Sequence, residues 1–161
     1  MHENIKVGMA DYKATIHPSI LVTLGLGSCV GIALFEPSTR IIGLAHIMLP
    51  TSKISKAAVN EAKFADTAIV KLVEDMVKLG ANRRTIKAKL AGGAQMFNFT
   101  DSNDNIRIGL RNIEASRIVL AQLGIPIVSE DVGGNHGRTI ELYSDDGRLL
   151  IKTVGFGTNY I

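Results

Sequence analysis

The chain has one cysteine, Cys29, and it closes the glycine-rich run Gly25-Leu26-Gly27-Ser28-Cys29. A nucleophilic thiol must be reachable, and a glycine turn lets a substrate approach the backbone closely while leaving N–H groups, here at Gly27, Ser28 and Cys29, to hold an anionic oxygen. The opposing reading is that cysteine is among the most frequently buried residues and that Cys29 fills the core beside Val30. For a lone cysteine in an apolar stretch, residue type by itself favours the filler. His46 narrows the gap. It interrupts the otherwise apolar Gly43-Leu44-Ala45-His46-Ile47-Met48-Leu49, and a turn near Ser38 makes that stretch the hairpin partner of a strand beginning at Cys29. Positions whose numbers sum to about 75 or 76 face each other in such a hairpin, which sets Cys29 across from His46. An imidazole beside a thiol is the arrangement that yields a low-pKa, nucleophilic thiolate, against the commoner fate of a satisfied core histidine. Thr23, on the strand leading into the glycine turn, is a third candidate whose hydroxyl or carbonyl would orient the imidazole. Threonine is equally an ordinary strand residue.

Other motifs fall away. Ser28 lacks the following glycine that a nucleophile elbow needs. Gly25-Leu26-Gly27 starts like a dinucleotide loop, but neither a third spaced glycine nor a helical pattern follows. His2, His17 and His136 have no metal-ligand spacing with one another or with acidic residues. His136, in a glycine loop beside Arg138, reads as exposed. Phe97 and Phe99 sit in a polar stretch, as partner anchors or folded back onto the core.

The elements that must position these groups follow from hydrophobic periodicity. Thr15 to Phe35 contains no charged residue, yet Pro18, Gly25, Gly27 and Gly31 among β-branched residues make it two strands around a glycine turn and exclude a membrane helix. The strands are Ile20 to Leu24 and Cys29 to Phe35. Glu36-Pro37-Ser38-Thr39-Arg40 has turn chemistry and leads to a strand from Ile41 to Met48. From Val59 to Leu79, Ala65, Ile69, Leu72, Val73, Met76 and Leu79 form a helical stripe that Gly80 ends. Ile86, Ala88 and Leu90 alternate with lysines as a strand with one wet face. A second helix spans Leu110 to Leu123. Ile125 to Ser129 reads as a strand that, because of Pro126, lies at an edge or starts late. Thr139 to Tyr143 and Leu149 to Val154 flank an Asp-Gly hairpin turn. The expectation is one domain over residues 1–161, of class α+β, with about seven strands and two long helices.

Composition bounds the rest. The 161 residues are 46% hydrophobic and 20% charged, enough for an ordinary core without disulfide or metal. One cysteine excludes an internal disulfide and a multi-cysteine zinc site, and points to the cytoplasm. A net charge of +3 with dispersed Lys and Arg, 5% aromatic residues and no Trp argue against nucleic acid as a partner. No secretory signal is evident.

The assembled blocks resemble the CheD family of chemoreceptor glutamine deamidases. The resemblance rests on Thr23-Leu24-Gly25-Leu26-Gly27-Ser28-Cys29-Val30, Gly43-Leu44-Ala45-His46-Ile47-Met48-Leu49-Pro50, Ala88-Lys89-Leu90-Ala91-Gly92-Gly93-Ala94-Gln95-Met96-Phe97, Ile108-Gly109-Leu110-Arg111-Asn112 and Glu130-Asp131-Val132-Gly133-Gly134. It implies a catalytic set of Cys29, His46 and Thr23. It also implies central packed β-sheets with helices outside, as αββα-type layers related to toxin-type cysteine deamidases. The implied substrates are glutamine side chains on the cytoplasmic helices of chemoreceptors, and the implied partner is the CheC phosphatase. Neither cofactor nor membrane insertion is expected. Three readings of the chain itself remain: a hydrolase acting through a Cys29 thioester, a non-catalytic CheC-binding adaptor, and a related acyl transfer such as transglutamination or esterase action.

Overall fold

The computed structural model describes residues 2–54, 60–96 and 107–161, so Phe97 and Phe99 lie outside the described residues. Ten strands and two helices are present among those described. In chain order they are β1 (Glu3–Lys6), β2 (Asp11–Thr15), β3 (Ser19–Leu26), β4 (Val30–Glu36), β5 (Ile41–Ile47), α1 (Ala65–Lys78), β6 (Lys87–Gly92), α2 (Ile108–Gln122), β7 (Ile127–Val132), β8 (Arg138–Tyr143), β9 (Leu149–Thr153) and β10 (Gly157–Tyr160). They build two five-stranded mixed sheets, ordered β1-β3-β8-β9-β10 and β2-β5-β4-β6-β7. The α+β expectation holds.

The apolar runs of β4 and β5 become central strands because both their faces are covered. Val30, Ile32, Leu34, Ile41, Ala45 and Ile47 point to one core, shared with Ala65, Ala68, Ile69, Leu72, Val73 and Met76 of α1. Their alternates Cys29, Ala33, Ile42 and Leu44 point to a second core between the sheets, with Leu21 of β3, Ile140 and Leu142 of β8, and Leu149 and Ile151 of β9. His46 falls in phase with Ile42 and Leu44 and so faces the space between the sheets. No helical residue belongs to that inter-sheet core. Both described helices contribute instead to the core on the other side of the β4–β5 sheet. The layers therefore run helix, sheet, sheet, and the fourth, helical layer of the αββα expectation is not found among the described residues.

Of the stripe expected for α1, Ala65, Ile69, Leu72, Val73 and Met76 lie on its buried face, whereas Leu79 is the exposed C-cap; the helix begins at Ala65. β7 lies at a sheet edge directly after Pro126, as that proline required. The additional strands β1, β2 and β10 are short, largely polar and sited at sheet edges or ends, so no alternation marks them. At the β4–β5 turn the fully buried Glu36 carboxylate accepts hydrogen bonds from the Ser38 N–H (3.2 Å), the Ser38 hydroxyl (2.7 Å), the Thr39 N–H (2.9 Å) and the hydroxyls of Thr39 and Thr85. These donors hold its pKa down at about 2 despite burial, which acts in the opposite direction.

Two details of topology bear on the site. β3 and β4 lie in different sheets, so the glycine turn between them crosses from one to the other. The β4–β5 ladder pairs Val30 with Ile47 and Gly31 with His46. Paired positions thus sum to 77, and the residue opposite His46 is Gly31 instead of Cys29.

Candidate active site

Thr23 comes from β3 in one sheet and His46 from β5 in the other, and both side chains are fully buried. Thr23 Oγ1 lies 2.7 Å from His46 Nδ1, and the same hydroxyl donates to the Val7 carbonyl at 2.7 Å. A hydroxyl has one hydrogen. With that hydrogen on Val7, Thr23 Oγ1 must accept from His46, which puts the imidazole proton on Nδ1 and leaves the Nε2 lone pair free. Nε2 is buried and has no hydrogen-bond partner among the described residues. Burial lowers the His46 pKa, keeping the ring neutral and able to take a proton. Val7 is itself held in place by its N–H, which donates to the Val22 carbonyl at 2.7 Å.

Cys29 ends the crossover turn just before β4 and is 8% exposed. The carbonyls of this turn are all pinned inward. Gly27 accepts from the Ala94 N–H at 2.9 Å and Cys29 from the Gly93 N–H at 2.8 Å. Ser28 accepts from Asn112 Nδ2 at 2.9 Å. A trans peptide is planar with C=O and N–H opposed, so each pinned carbonyl also fixes the direction of the next residue's amide. The Gly27 N–H is occupied by the Gly25 carbonyl at 3.1 Å. Of the three amides the turn offers, that of Cys29 turns toward its own sulfur and that of Ser28 has no acceptor among the described residues. Gly92 makes the close packing possible, since a Cβ there would stand 2.4 Å from the Cys29 carbonyl oxygen.

The last ladder pairs put Gly31 opposite His46, so Cys29 lies two residues along the chain from the position facing the imidazole. The residue directly opposite His46 is Gly31, so no side chain from that position stands between thiol and imidazole. Burial pushes the Cys29 thiol above its ordinary value, with a hydrogen bond from its own backbone N–H pulling the other way. Burial thus favours the uncharged form of each group, the thiol and the neutral imidazole, where the sequence pointed to a low-pKa thiolate.

Two residues escaped sequence reasoning. Asn112 of α2 is fully buried and donates through Nδ2 to both the Ser28 and the Met48 carbonyls, each at 2.9 Å. Arg138 of β8, 7% exposed, reaches the other sheet, where its Nε and Nη2 donate to Asp131 Oδ1 at 3.1 and 3.0 Å and its Nη1 points at the Gly92 carbonyl at 3.4 Å. A polar residue at a buried helix phase was the available signal for Asn112. Nothing local marks Arg138, whose partners are set by sheet packing. His136 is half-buried, with its ring 4.4 Å from that of Phe156, rather than exposed. His2 hydrogen-bonds Asp145 at 2.6 Å and His17 bonds Ser144 at 2.8 Å. Among the described residues, no group of three or more His, Cys, Asp or Glu is arranged to hold a metal ion. Likewise no described helix is long and apolar enough to cross a membrane.

A thiol, a base with a free nitrogen lone pair, a hydroxyl fixing that base, and backbone amides on the nucleophile's turn form a site capable of cysteine-dependent acyl transfer, carried on a two-sheet α+β scaffold. Comparisons with known proteins narrow that class. Residues 48–153 match the family described as CheD, chemotactic sensory transduction. The probable chemoreceptor glutamine deamidase CheD of Caldanaerobacter subterraneus subsp. tengcongensis is 57% identical over 157 residues, covering 98% of this chain and 97% of its own. The chemoreceptor glutamine deamidase CheD of Halalkalibacterium halodurans is 49% identical over 162 residues, with 100% of both chains covered. The chain belongs to the CheD family. Among solved structures, the hypothetical protein YfiH of Bacillus licheniformis superimposes with a TM-score of 0.50 at 17% identity. That likeness, of fold alone, covers 78% of this chain and 51% of the YfiH chain, so this chain spans about half of that protein's length.

Proposed function

We propose that the chain is a protein-glutamine deamidase that converts glutamine side chains of chemoreceptors to glutamate. The observation that carries this reading is the relay from the Val7 carbonyl through Thr23 to His46, which leaves Nε2 without a hydrogen-bond partner among the described residues. The names borne by its relatives supply the substrate.

Cys29 Sγ attacks the side-chain carboxamide carbon while His46 Nε2 takes the thiol proton. The tetrahedral oxyanion is held by the Ser28 and Cys29 amides. His46 returns the proton to the nitrogen, which leaves as ammonia, and a thioester remains. Water then attacks with His46 as base, and collapse of the second tetrahedral intermediate yields glutamate and the free thiol. Such acid–base transfer typically contributes 10²–10⁴-fold, by order of magnitude roughly the effect expected of removing His46. The chain works in the cytoplasm, where receptor signalling helices lie, and binds the CheC phosphatase; both inferences rest on family resemblance.

Mass spectrometry of a receptor cytoplasmic fragment tests the reading. The gain of about one mass unit that replaces NH₂ by OH is expected with the native chain and absent with Cys29→Ala. Conversion by Cys29→Ala would overturn the mechanism. A second reading, a CheC-binding adaptor with an inert thiol, is favoured by the raised Cys29 pKa. It requires that the native chain leave receptor glutamines unchanged while still binding CheC.

A further inference from the structure

We infer that Asn112 is the positioning residue of the oxyanion site, acting through the Ser28–Cys29 peptide; the inference rests on the deamidase reading above. Asn112 Nδ2 carries two hydrogens, and both are spent on backbone carbonyls, those of Ser28 and Met48 at 2.9 Å each. Ser28 immediately precedes the nucleophile, and Met48 follows the base by two residues. One carboxamide on α2 thus ties the nucleophile's turn to the end of the base's strand.

The ladder explains why a side chain is needed there. Regular β4–β5 pairing stops at Val30 and Ile47. One step further the Met48 N–H turns away to the Lys63 carbonyl at 2.8 Å, so Met48 and the turn no longer bond each other as strand partners. Asn112 bridges the gap from the side. Because the Ser28–Cys29 peptide is planar and trans, a Ser28 carbonyl aimed at α2 obliges the Cys29 N–H to point the opposite way. Loss of the carboxamide frees that peptide to rotate, and the amide that should meet the developing oxyanion is no longer aimed. Asn112 Oδ1 is buried without a partner among the described residues. A buried unpaired acceptor is destabilising, so retaining Asn where an apolar side chain would pack is consistent with a task performed by its N–H groups.

The test separates oxyanion chemistry from nucleophile placement. Iodoacetamide alkylates Cys29 by displacement at carbon with no oxyanion. Para-nitrophenyl acetate acylates the same sulfur through a tetrahedral oxyanion, with no receptor required. Both rates, and kcat and KM for ammonia release from a receptor cytoplasmic fragment, are measured for the native chain, Asn112→Asp and Asn112→Ser. Val73→Ala, in the α1 core, controls for lowered stability. The expected result is alkylation within about three-fold of native across the pH profile, while acylation and kcat fall about 10²-fold and KM changes little, as for removal of an oxyanion donor. Unchanged acylation in a folded variant would overturn the proposal. So would a parallel fall of alkylation and acylation, or failure of both variants to fold, since each makes the carboxamide structural. A native chain that is acylated normally but releases no ammonia would overturn the deamidase reading, while the Asn112 ratio is still read from acylation.

Discussion

His46 Nδ1 and Thr23 Oγ1 lie 2.7 Å apart although they belong to different sheets. The contact spans the space between the sheets, and the Val7 carbonyl at 2.7 Å fixes its polarity by claiming the threonine hydrogen. The tautomer of the base is thus set by a backbone carbonyl two groups away.

Thr23→Val removes the acceptor for the Nδ1 proton and leaves both the imidazole and the Val7 carbonyl unpaired in a buried space. A loss of about 10–10²-fold in kcat is expected, by analogy with other second groups that orient a catalytic histidine, together with a lowered melting temperature. Thr23→Ser, which keeps the hydroxyl, should recover most of the activity. Imidazole nitrogen shifts by NMR should report the Nδ1–H tautomer in the native chain and a mixture in Thr23→Val.

Cys29 should behave as a raised, neutral thiol at rest. Its alkylation by iodoacetamide at neutral pH is expected to be no faster than that of a free thiol, with the rate climbing only above the ordinary thiol range as the thiolate forms. Slow labelling is therefore compatible with catalysis. A labelling profile shifted to low pH would contradict the uncharged thiol that burial favours.

Two buried groups give acid sensitivity in separate windows. The unfolded chain protonates His46 near 6.5, while the folded chain holds its pKa lower. Stability present above 6.5 is accordingly lost as pH falls below it toward the depressed folded value. Glu36 is lowered from 4.5 to about 2, so its contribution is present above 4.5 and is lost between there and about 2. Glu36→Gln should lower stability at neutral pH by ~2–3 kcal/mol and flatten the more acidic limb. His46→Gln should flatten the limb just below 6.5. Denaturant titrations across pH 2–8, roughly the span of these shifts, check both.

Gly31→Ala would place a Cβ 2.6 Å from Ile140 Cδ1. Overpacking of this kind costs about 1–3 kcal/mol. Because the conflict is with the far end of a side chain, the double variant Gly31→Ala with Ile140→Val, which removes that methyl, should regain much of the loss in thermal melts. Gly92→Ala has no such escape, since its clash is with the Cys29 backbone carbonyl and its φ is +104°. It should lose both stability and activity, whatever its neighbours.

The helices and most strands were legible because their signals are local. The α1 stripe recurs at helical spacing, and the β4 and β5 runs are nearly unbroken apolar segments. β1, β2 and β10 carried no such pattern, because an edge strand is stabilised by its partner's backbone rather than by a buried face of its own. The hairpin between β4 and β5 was readable, but its register was not. A sum of 77 in place of 75 or 76 puts Gly31 instead of Cys29 opposite His46, and the choice depends on how Glu36 gathers Ser38, Thr39 and Thr85 around the turn.

Residue type and order by themselves determined that this protein has one thiol, that the thiol ends a glycine turn, and that a threonine and a histidine lie on apolar strands before and after it. They also carried the family. Only the tertiary structure decided that Thr23 and His46 meet across two sheets, which nitrogen of His46 has no partner among the described residues, that burial favours the uncharged thiol and imidazole, and that Asn112, 84 positions from Ser28, holds the Ser28 carbonyl. The reason is physical. Periodicity and turn chemistry act over a few residues, whereas hydrogen-bond direction and desolvation depend on which distant surfaces the packing of the sheets and α2 brings together.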